Sequence, residues 1–391
     1  MTIKEKIVSS LEKYRNELVA LGRSIHRNPE IGGEEVFAAD SICDFLSARG
    51  FRVTRGLGGL PTAFTAVFRQ GSGKPYRIGF CAEYDALPGI GHACGHNLIG
   101  IASVAAALSL AESGLKESFE VTVIGTPDEE GTGGKIDLIK AGIFEGMDAA
   151  MMFHPGYETQ IHMTSLACRT YYFTFHGRNA HAASDPTEGR NALDGVMLTF
   201  TNINFLRQYL RDDVRVHGII KDGGRAGNVI PDLAVAEITI RSVDNNYLIE
   251  VEQRVMDCAR GAALASGTEV NITPFGNFYE AMVSNKLMEE IFRESLDEAG
   301  FIDLSRHEEG LGSIDMGNVS RVVPAIHPSL SLTPLMVPGH TAEFSALCDT
   351  PEAYEVMMTA GMAMALTAVK IISDPAVQEG IRLEFSKTMS R

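Results

Sequence analysis

Apolar and polar residues in the first part of the chain follow two alternating patterns. Residues 3–27 and 34–49 carry apolar side chains at helical spacing, whereas residues 77–81, 119–125 and 149–153 are short apolar or β-branched runs. The first pattern is typical of amphipathic helices and the second of buried strands. Because helices separate the strands, we predict an α/β fold with a mostly parallel sheet and helices on both faces.

The pattern changes near residue 167, where strands with strict polar and apolar alternation begin. Such alternation is typical of a sheet with one exposed face. The predicted strands and helices are 169–176, 190–210 (helix), 214–221, 234–241, 246–266 (helix) and 269–274. Their order, β-α-β-β-α-β, is that of the ferredoxin-like unit. We therefore predict an inserted α+β domain at 167–279 and a discontinuous first domain at 1–166 and 280–391, as the chain length allows.

Composition narrows the classes of partner. The formal net charge is −16, which disfavours a nucleic-acid partner because phosphate binding requires a basic surface. The same charge is compatible with a cationic small substrate. We see no signal peptide in residues 1–20 and no apolar run of membrane-spanning length, so no membrane partner is expected. The six scattered cysteines are typical of reduced thiols in a cytoplasmic protein.

Residues that can bind metal follow three successive predicted strands. Cys94 and His96 follow the strand at 77–81, and Glu130 and His154 follow the next two strands along the chain. Ligands bind at the carboxyl ends of the strands in open α/β sheets. A thiolate, imidazoles and a carboxylate suit Zn²⁺, Mn²⁺ or a similar divalent ion. The sequence therefore predicts a metal site.

Two further acids stand close to these candidate ligands. Glu129 is adjacent to Glu130, and neighbouring carboxylates repel each other unless a cation or a proton lies between them. In a metal site Glu130 would bind the ion and Glu129 would transfer protons; the alternative is a solvated acidic loop. Asp85 is placed to hold a ligating imidazole in one tautomer, or else it caps a turn.

Three residues of the inserted domain are candidates for substrate contacts. His181 follows a strand, Asn228 lies in a glycine-rich loop that allows a close approach to a ligand, and Arg241 ends a strand and could bind a carboxylate. An ordinary surface role stays open for each of them.

The combined motifs resemble the co-catalytic metallopeptidase family of aminoacylases, glutamate carboxypeptidases, succinyl-diaminopimelate desuccinylases and auxin-conjugate amidohydrolases. The resemblance extends over nearly the whole chain. The motifs are Cys-Gly-His at 94–96, Pro-Asp-Glu-Glu-Gly at 127–131, His154, Ala-His-Ala-Ala at 180–183, Gly-Asn-Val-Ile-Pro at 227–231 and Pro-Gly-His-Thr at 338–341. Residues 83–97 are most similar to the amidohydrolase branch that includes the Xaa-Arg/Xaa-Lys dipeptidase.

This resemblance implies a zinc-peptidase-like fold and a site for two divalent metal ions. Cys94 would bridge the ions, where many members of the family use Asp. Glu129 would be the general acid and base. The remaining ligands would be His96, Glu130, His154 and His340.

The resemblance also implies that the inserted domain is a lid and dimerisation domain. His181 would reach an active site across the interface of a homodimer and stabilise the oxyanion, and Asn228 and Arg241 would hold the substrate. Two positions depart from the family pattern. Asn97 stands where the amidohydrolase branch commonly has Asp, and Glu83, to which we assign no role, stands where the peptidase branch has a ligating His.

We expect a metal-dependent amidohydrolase or peptidase that acts on a small N-acyl amino acid or a dipeptide. One alternative is hydrolytic deamination or another C–N cleavage at the same metals. An alternative of another class is a non-catalytic metal-dependent binding protein. Glu129 favours catalysis, because a binding protein does not require a proton shuttle beside its ligands.

Overall fold

Helices and strands alternate through the first part of the computed structural model, which describes residues 1–306 and 311–390. Residues 307–310 and 391, which belong to the predicted segment 280–391, lie outside the described residues. The first elements are α1 (Ile3–Arg27), α2 (Val36–Ser47), β1 (Arg52–Arg55), β2 (Phe64–Gln70), β3 (Tyr76–Ala82), α3 (His96–Glu112), β4 (Phe119–Gly125), α4 (Gly134–Lys140), β5 (Ala149–Met151) and β6 (His154–Gly156).

The middle of the chain follows the predicted order of strand, helix, two strands, helix and strand. Its elements are β7 (Ala167–His176), α5 (Ala192–Leu206), β8 (Arg215–Asp222), β9 (Leu233–Ser242), α6 (Asn245–Ser266) and β10 (Glu269–Tyr279). The remaining elements are α7 (Lys286–Glu298), α8 (Met316–Val322), β11 (Ala325–Ile326), β12 (Ser329–Ser331), α9 (Ala342–Leu347), α10 (Pro351–Ser373) and α11 (Pro375–Met389).

The described chain divides into two compact units. One consists of Met1–Thr164, Met282–Leu311 and Asp315–Arg391, and the other of Ser165–Ala281 and Gly312–Ile314. The first unit contains a six-stranded sheet in the order β1-β2-β4-β3-β5-β11. β3, β4, β5 and β11 are paired in parallel, whereas β1 and β2 run antiparallel at one edge.

Both faces of this sheet are covered. Successive residues of β3 and β4 are buried, which is typical of central parallel strands and explains why their sequences are continuously apolar. The fold class predicted from the hydrophobic pattern, α/β with a mostly parallel sheet, is confirmed.

The carboxyl end of β3 passes directly into the functional loop and then into α3. Gly95 adopts φ +74° immediately before α3, and a β-carbon at that position would lie 2.4 Å from Pro155 Cγ. A side chain at Gly100 would meet the carbonyl oxygen of Glu83 at 2.7 Å. Glycine at both positions therefore allows α3 to start at His96, three residues earlier than the sequence pattern predicts, and to pack closely on the end of β3.

His154 also differs from its predicted place. The predicted strand at 149–153 ends at Met151, where its pairing with Phe80 of β3 ends. His154 then begins a separate short strand, β6, which pairs in parallel with β12 at Ser329. His154 is consequently fixed by a backbone ladder instead of lying in a loop.

The second unit contains a four-stranded antiparallel sheet in the order β10-β7-β9-β8. Alternate residues of β9 are buried, and these side chains pack with those of α5 and α6 in one hydrophobic core. The strict alternation in the sequence therefore reflects a sheet with one covered face.

One helix among the described residues is long and apolar enough to cross a membrane. It is α10, and 67% of its most apolar window is buried within the fold, which is also typical of a core helix in a globular protein. This finding differs from the expectation that no apolar run reaches membrane-spanning length.

Candidate metal centre

One group of metal-binding side chains lies where β3, α3 and β6 meet. The ligand atoms of Glu83, His96 and His154 all lie within 4.8 Å of one another. Glu83 follows the end of β3, His96 is the first residue of α3 and His154 is the first residue of β6. Glu83 and His96 are buried, so few water molecules can compete for their ligand atoms.

A second group lies beside the first. It consists of Cys94, Glu130 and His340, whose ligand atoms are also within 4.8 Å of one another. The Cys94 thiol donates to Glu130 Oε1 over 2.6 Å, and His340 Nε2 lies 3.3 Å from the same oxygen. A third overlapping set, His96, Glu129 and Glu130, joins the two groups. The structure thus brings together the predicted ligands and Glu129.

Asp85 orients members of both groups. Its Oδ1 accepts a hydrogen bond from His96 Nδ1 over 2.8 Å, and its Oδ2 accepts one from the backbone amide of Glu130 over 3.1 Å. His154 Nδ1 donates to the carbonyl of Pro155 over 2.8 Å. Both imidazoles therefore carry the proton on Nδ1 when neutral, and Nε2 is left as the ligand atom.

The loop that carries Glu129 and Glu130 is held in an uncommon backbone conformation. Asp128 has φ +59°, and its amide donates to Glu35 Oε1 over 2.8 Å. Glu35 is itself buried and accepts from the Thr62 hydroxyl over 2.8 Å. Non-glycine residues in this region are uncommon and cluster at functional sites.

His340 is the other non-glycine residue with a positive φ among those that the structure describes. Its φ is +61°, and its amide donates to the carbonyl of Ala93 over 2.9 Å. This contact fixes the backbone of His340 beside the segment that carries Cys94.

Charge in the centre is dominated by carboxylates. Burial opposes ionisation of Glu130, but His340, His96 and Cys94 hold the pKa of this carboxyl at about 2. Burial alone would lower the pKa of His96, yet Asp85 and Glu83 raise it to about 10. Burial and the neighbouring Glu130 raise the pKa of Glu129 well above its usual range. Each of these directions indicates an environment that favours added positive charge.

The residues present fit a divalent metal centre. His96 Nε2 and Glu83 Oε2 are both buried, and neither has a hydrogen-bond partner among the described residues. Burial and Glu130 raise the pKa of the Cys94 thiol, and a bound divalent cation would reverse this effect by stabilising the thiolate. Imidazole, thiolate and carboxylate are the ligand types that zinc sites in proteins use.

A buried lysine and two acids complete the centre, and the sequence motifs assign a role to none of them. Lys135 Nζ lies 2.5 Å from Glu83 Oε1 and 2.6 Å from Asp315 Oδ1. Lys135 is the second residue of α4, and Asp315 immediately precedes α8. Only Glu83 carries a signal in the sequence, because it stands at the place of a ligating His in the peptidase branch.

The three predicted substrate residues belong to the second unit. The segments of His181 and Asn228 are paired there, since the amide of Ala182 donates to the carbonyl of Asn228 over 3.0 Å. His181 Nδ1 accepts from the amides of Ala183 and Ser184, so its neutral imidazole presents an N–H at Nε2. Arg241 lies near the end of β9 and donates from Nη1 to Ser313 Oγ over 2.8 Å.

Comparison with known proteins identifies relatives over most of the chain. The profile of Peptidase family M20/M25/M40 matches residues 75–360. The chain is 36% identical over 400 residues to the Xaa-Arg dipeptidase of Mus musculus, covering 98% of this chain and 92% of that protein. It is 33% identical over 315 residues to a p-aminobenzoyl-glutamate hydrolase polypeptide of Escherichia coli K12, covering 75% and 65%, respectively.

A solved structure shares the fold. The dinuclear metal binding peptidase of Bacillus subtilis, from the M20 family, has a TM-score of 0.68 at 18% identity, covering 92% of this chain and 99% of that one. The family profile extends over more than half of the chain, and the mouse relative matches nearly all of it. The resemblance predicted from the motifs is confirmed: the chain belongs to Peptidase family M20/M25/M40 and is a metal-dependent hydrolase of amide bonds.

Proposed function

We propose that the chain hydrolyses the amide bond of a dipeptide or a small N-acyl amino acid at two divalent metal ions, Zn²⁺ or Mn²⁺. The observation that carries the proposal is the pair of adjacent groups of ligand atoms, with the carboxylate of Glu129 beside them. In this proposal His96 and His154 hold one ion, Glu130 and His340 hold the other, and Cys94 bridges them.

Bound metal ions would supply Lewis acidity to the scissile carbonyl and to the attacking water. The protein supplies the proton transfer. A carboxylate oxygen of Glu129 lies within 4.8 Å of ligand atoms of His96 and Glu130, so a water held near those ligands is within reach of Glu129. Glu129 accepts a proton from the water and then delivers it to the leaving nitrogen, which cannot depart as an anion.

Substrate contacts come from the second unit. His181 presents its Nε2–H because Nδ1 is occupied by two backbone amides, so the side chain can donate to a developing oxyanion without carrying a charge. Asn228 lies on the segment paired with that of His181 and contacts the substrate carbonyl. Arg241 binds the substrate carboxylate with its planar guanidinium.

A homodimer is part of the proposal. β8 forms one edge of the four-stranded sheet of the second unit, and Ile219 and Ile220 on this strand are 58% and 46% exposed. Phe205 and Tyr209, at the end of α5 and just beyond it, are 69% and 65% exposed. Edge strands and exposed apolar side chains favour association with another chain. The partner's His181 then completes each active site.

Substrate class follows from the relatives as a proposal. The mouse relative is named for cleavage of Xaa-Arg dipeptides, and the Escherichia coli relative is named for hydrolysis of p-aminobenzoyl-glutamate. Both names describe an amide whose nitrogen belongs to an amino acid with a free carboxylate. The net charge of −16 supports dipeptides that end in a basic residue as the first candidates.

Location and other partners complete the proposal. All six cysteines, each within the described residues, are free thiols, which supports a reducing cytoplasm. The acidic net charge supports the absence of a nucleic-acid partner. We also propose no membrane partner, because the apolar helix α10 is mostly buried.

The substrate proposal predicts the outcome of an activity screen. The Mn²⁺- and Zn²⁺-loaded protein is incubated with Xaa-Arg, Xaa-Lys, other dipeptides and N-acyl amino acids, and the products are separated by mass. We expect cleavage at the amide bond with release of the free C-terminal amino acid. Release of ammonia with the amide intact would indicate a deaminase, and binding without turnover across the panel would indicate a binding protein.

Glu129→Gln separates the proton shuttle from the metal ligands. Glutamine keeps the size of the side chain but cannot accept the proton, so kcat should fall by at least about two orders of magnitude, the usual contribution of a general acid and base. Elemental analysis should show unchanged metal content. Glu145→Gln, at an exposed position, is the matched control and should keep full activity. Activity of Glu129→Gln within a few-fold of wild type would rule out the shuttle.

Complementation between subunits tests whether His181 acts across the dimer. Glu129→Gln and His181→Ala, each inactive alone, are mixed under conditions that exchange subunits. A heterodimer then has one site with both residues intact and one site with both changed. Equal mixing makes half of the dimers heterodimers, so recovery should approach about a quarter of wild-type activity.

The matched control is a mixture of Glu129→Gln with Cys94→Ala. Both of these residues belong to the same chain's site, so every site in the heterodimer keeps one lesion and no recovery is expected. Failure of the Glu129→Gln and His181→Ala mixture to recover, with exchange verified by mass spectrometry, would show that His181 does not act across subunits.

A further inference from the structure

A buried ion-pair cluster lies directly behind the first group of metal-binding atoms. Lys135 is fully buried, and its ammonium lies 2.5 Å from Glu83 Oε1 and 2.6 Å from Asp315 Oδ1. The backbone amide of Lys135 also donates to Asp315 Oδ2 over 3.0 Å. Asp315 therefore holds Lys135 at two points, and Lys135 in turn holds one of the two oxygens of Glu83.

The other oxygen of Glu83 faces the metal group. Glu83 Oε2 lies 3.4 Å from His96 Nε2, and neither atom has a hydrogen-bond partner among the described residues. His96 Nδ1 donates to Asp85, so Nε2 of the neutral imidazole is an acceptor that faces a second acceptor. Two buried acceptors in this arrangement are costly unless a cation lies between them.

The separation of these atoms matches a shared metal ion. Ligand atoms that each lie about 2.1 Å from a tetrahedral Zn²⁺ are about 3.4 Å from one another. Glu83 Oε2 and His96 Nε2 are 3.4 Å apart, and a ligand atom of His154 is within 4.8 Å of both residues' ligand atoms. The arrangement therefore has the dimensions of one metal coordination shell.

Counting charges explains why a lysine lies so close to a metal site. Lys135 and Asp315 neutralise each other, which leaves the negative charge of Glu83 to balance a cation. Without Lys135 the carboxylate could rotate or bind with both oxygens, because nothing would distinguish Oε1 from Oε2. Groups that hold a ligand in this way commonly set metal affinity.

We propose, on the basis of the two-metal function above, that Glu83 is a third ligand of the ion held by His96 and His154, and that Lys135, anchored by Asp315, is the positioning residue that presents Glu83 Oε2 to this ion. The anionic oxygen takes the place that an imidazole has in the peptidase branch.

Metal titration of single variants tests the proposal. Elemental analysis and chelator competition give the number and affinity of bound Zn²⁺ ions, and the visible spectrum of the Co²⁺-loaded protein reports coordination. We expect Glu83→Gln to weaken one of two ions at least about 10-fold and to change the cobalt spectrum. Lys135→Met should weaken the same ion by about 10- to 100-fold, the usual effect of losing such a supporting contact. Lys140→Met, on the exposed face of the same helix, is the matched control and should bind both ions normally.

The double variant Glu83→Gln/Lys135→Met separates positioning from a purely structural role. If Lys135 acts through Glu83, the double variant binds metal as weakly as Glu83→Gln alone; independent effects would multiply and would contradict the positioning role. Should Lys135→Met fail to fold, as judged by circular dichroism, Lys135→Met/Asp315→Asn removes both buried charges, and it should still lose the same ion.

Two results distinguish this inference from the function on which it rests. If wild-type protein does not bind two ions, the proposed two-metal function fails. If wild type binds two ions and Glu83→Gln binds them with unchanged affinity and an unchanged cobalt spectrum, only the assignment of Glu83 as a ligand is overturned.

Discussion

The removal of several carboxylates from water at one end of a sheet is the constraint on which the rest of the structure depends. They belong to Glu83, Asp85, Glu129, Glu130 and Asp315. Burying such anions without cations costs many kcal/mol, so each must be paired, hydrogen-bonded or protonated. Lys135 balances part of this charge, and Asp85 is bound to an imidazole and an amide. The atoms that remain unsatisfied, Glu83 Oε2 and His96 Nε2, face each other, which is why a pair of metal ions accounts for the centre better than a structural ion-pair network does.

The surrounding fold holds this charge in place through backbone contacts. Gly95 and Gly100 let α3 approach the end of β3 closely enough to place His96 opposite Glu83. Glu35, buried beneath the loop after β4, accepts the amide of Asp128 and so supports a left-handed residue immediately before Glu129. Such contacts explain how adjacent carboxylates can have different roles: Glu130 faces Cys94 and His340, whereas Glu129 is buried beside them.

The sequence predicts the fold class and most elements because hydrophobic periodicity reports burial directly, and the strict alternation in β9 is an example. It also brings Cys94, Glu130 and His154 together, since each follows a strand of one sheet. It misses the start of α3 and the short strand β6, because these depend on a glycine conformation and on pairing with the distant β12. Lys135 and Asp315 could not be predicted, since they are 180 residues apart and resemble ordinary surface residues until the fold buries them together.

The most direct test of the two-metal centre is the position of the ions themselves. Crystals of the Mn²⁺-loaded protein would be measured at the manganese absorption edge, where anomalous difference density locates each ion. We predict two peaks in every active site, one within bonding distance of His96 and His154 and the other within bonding distance of Glu130 and His340, with Cys94 Sγ between them. A single peak, or manganese bound elsewhere while these side chains bond only to one another, would contradict the two-metal centre.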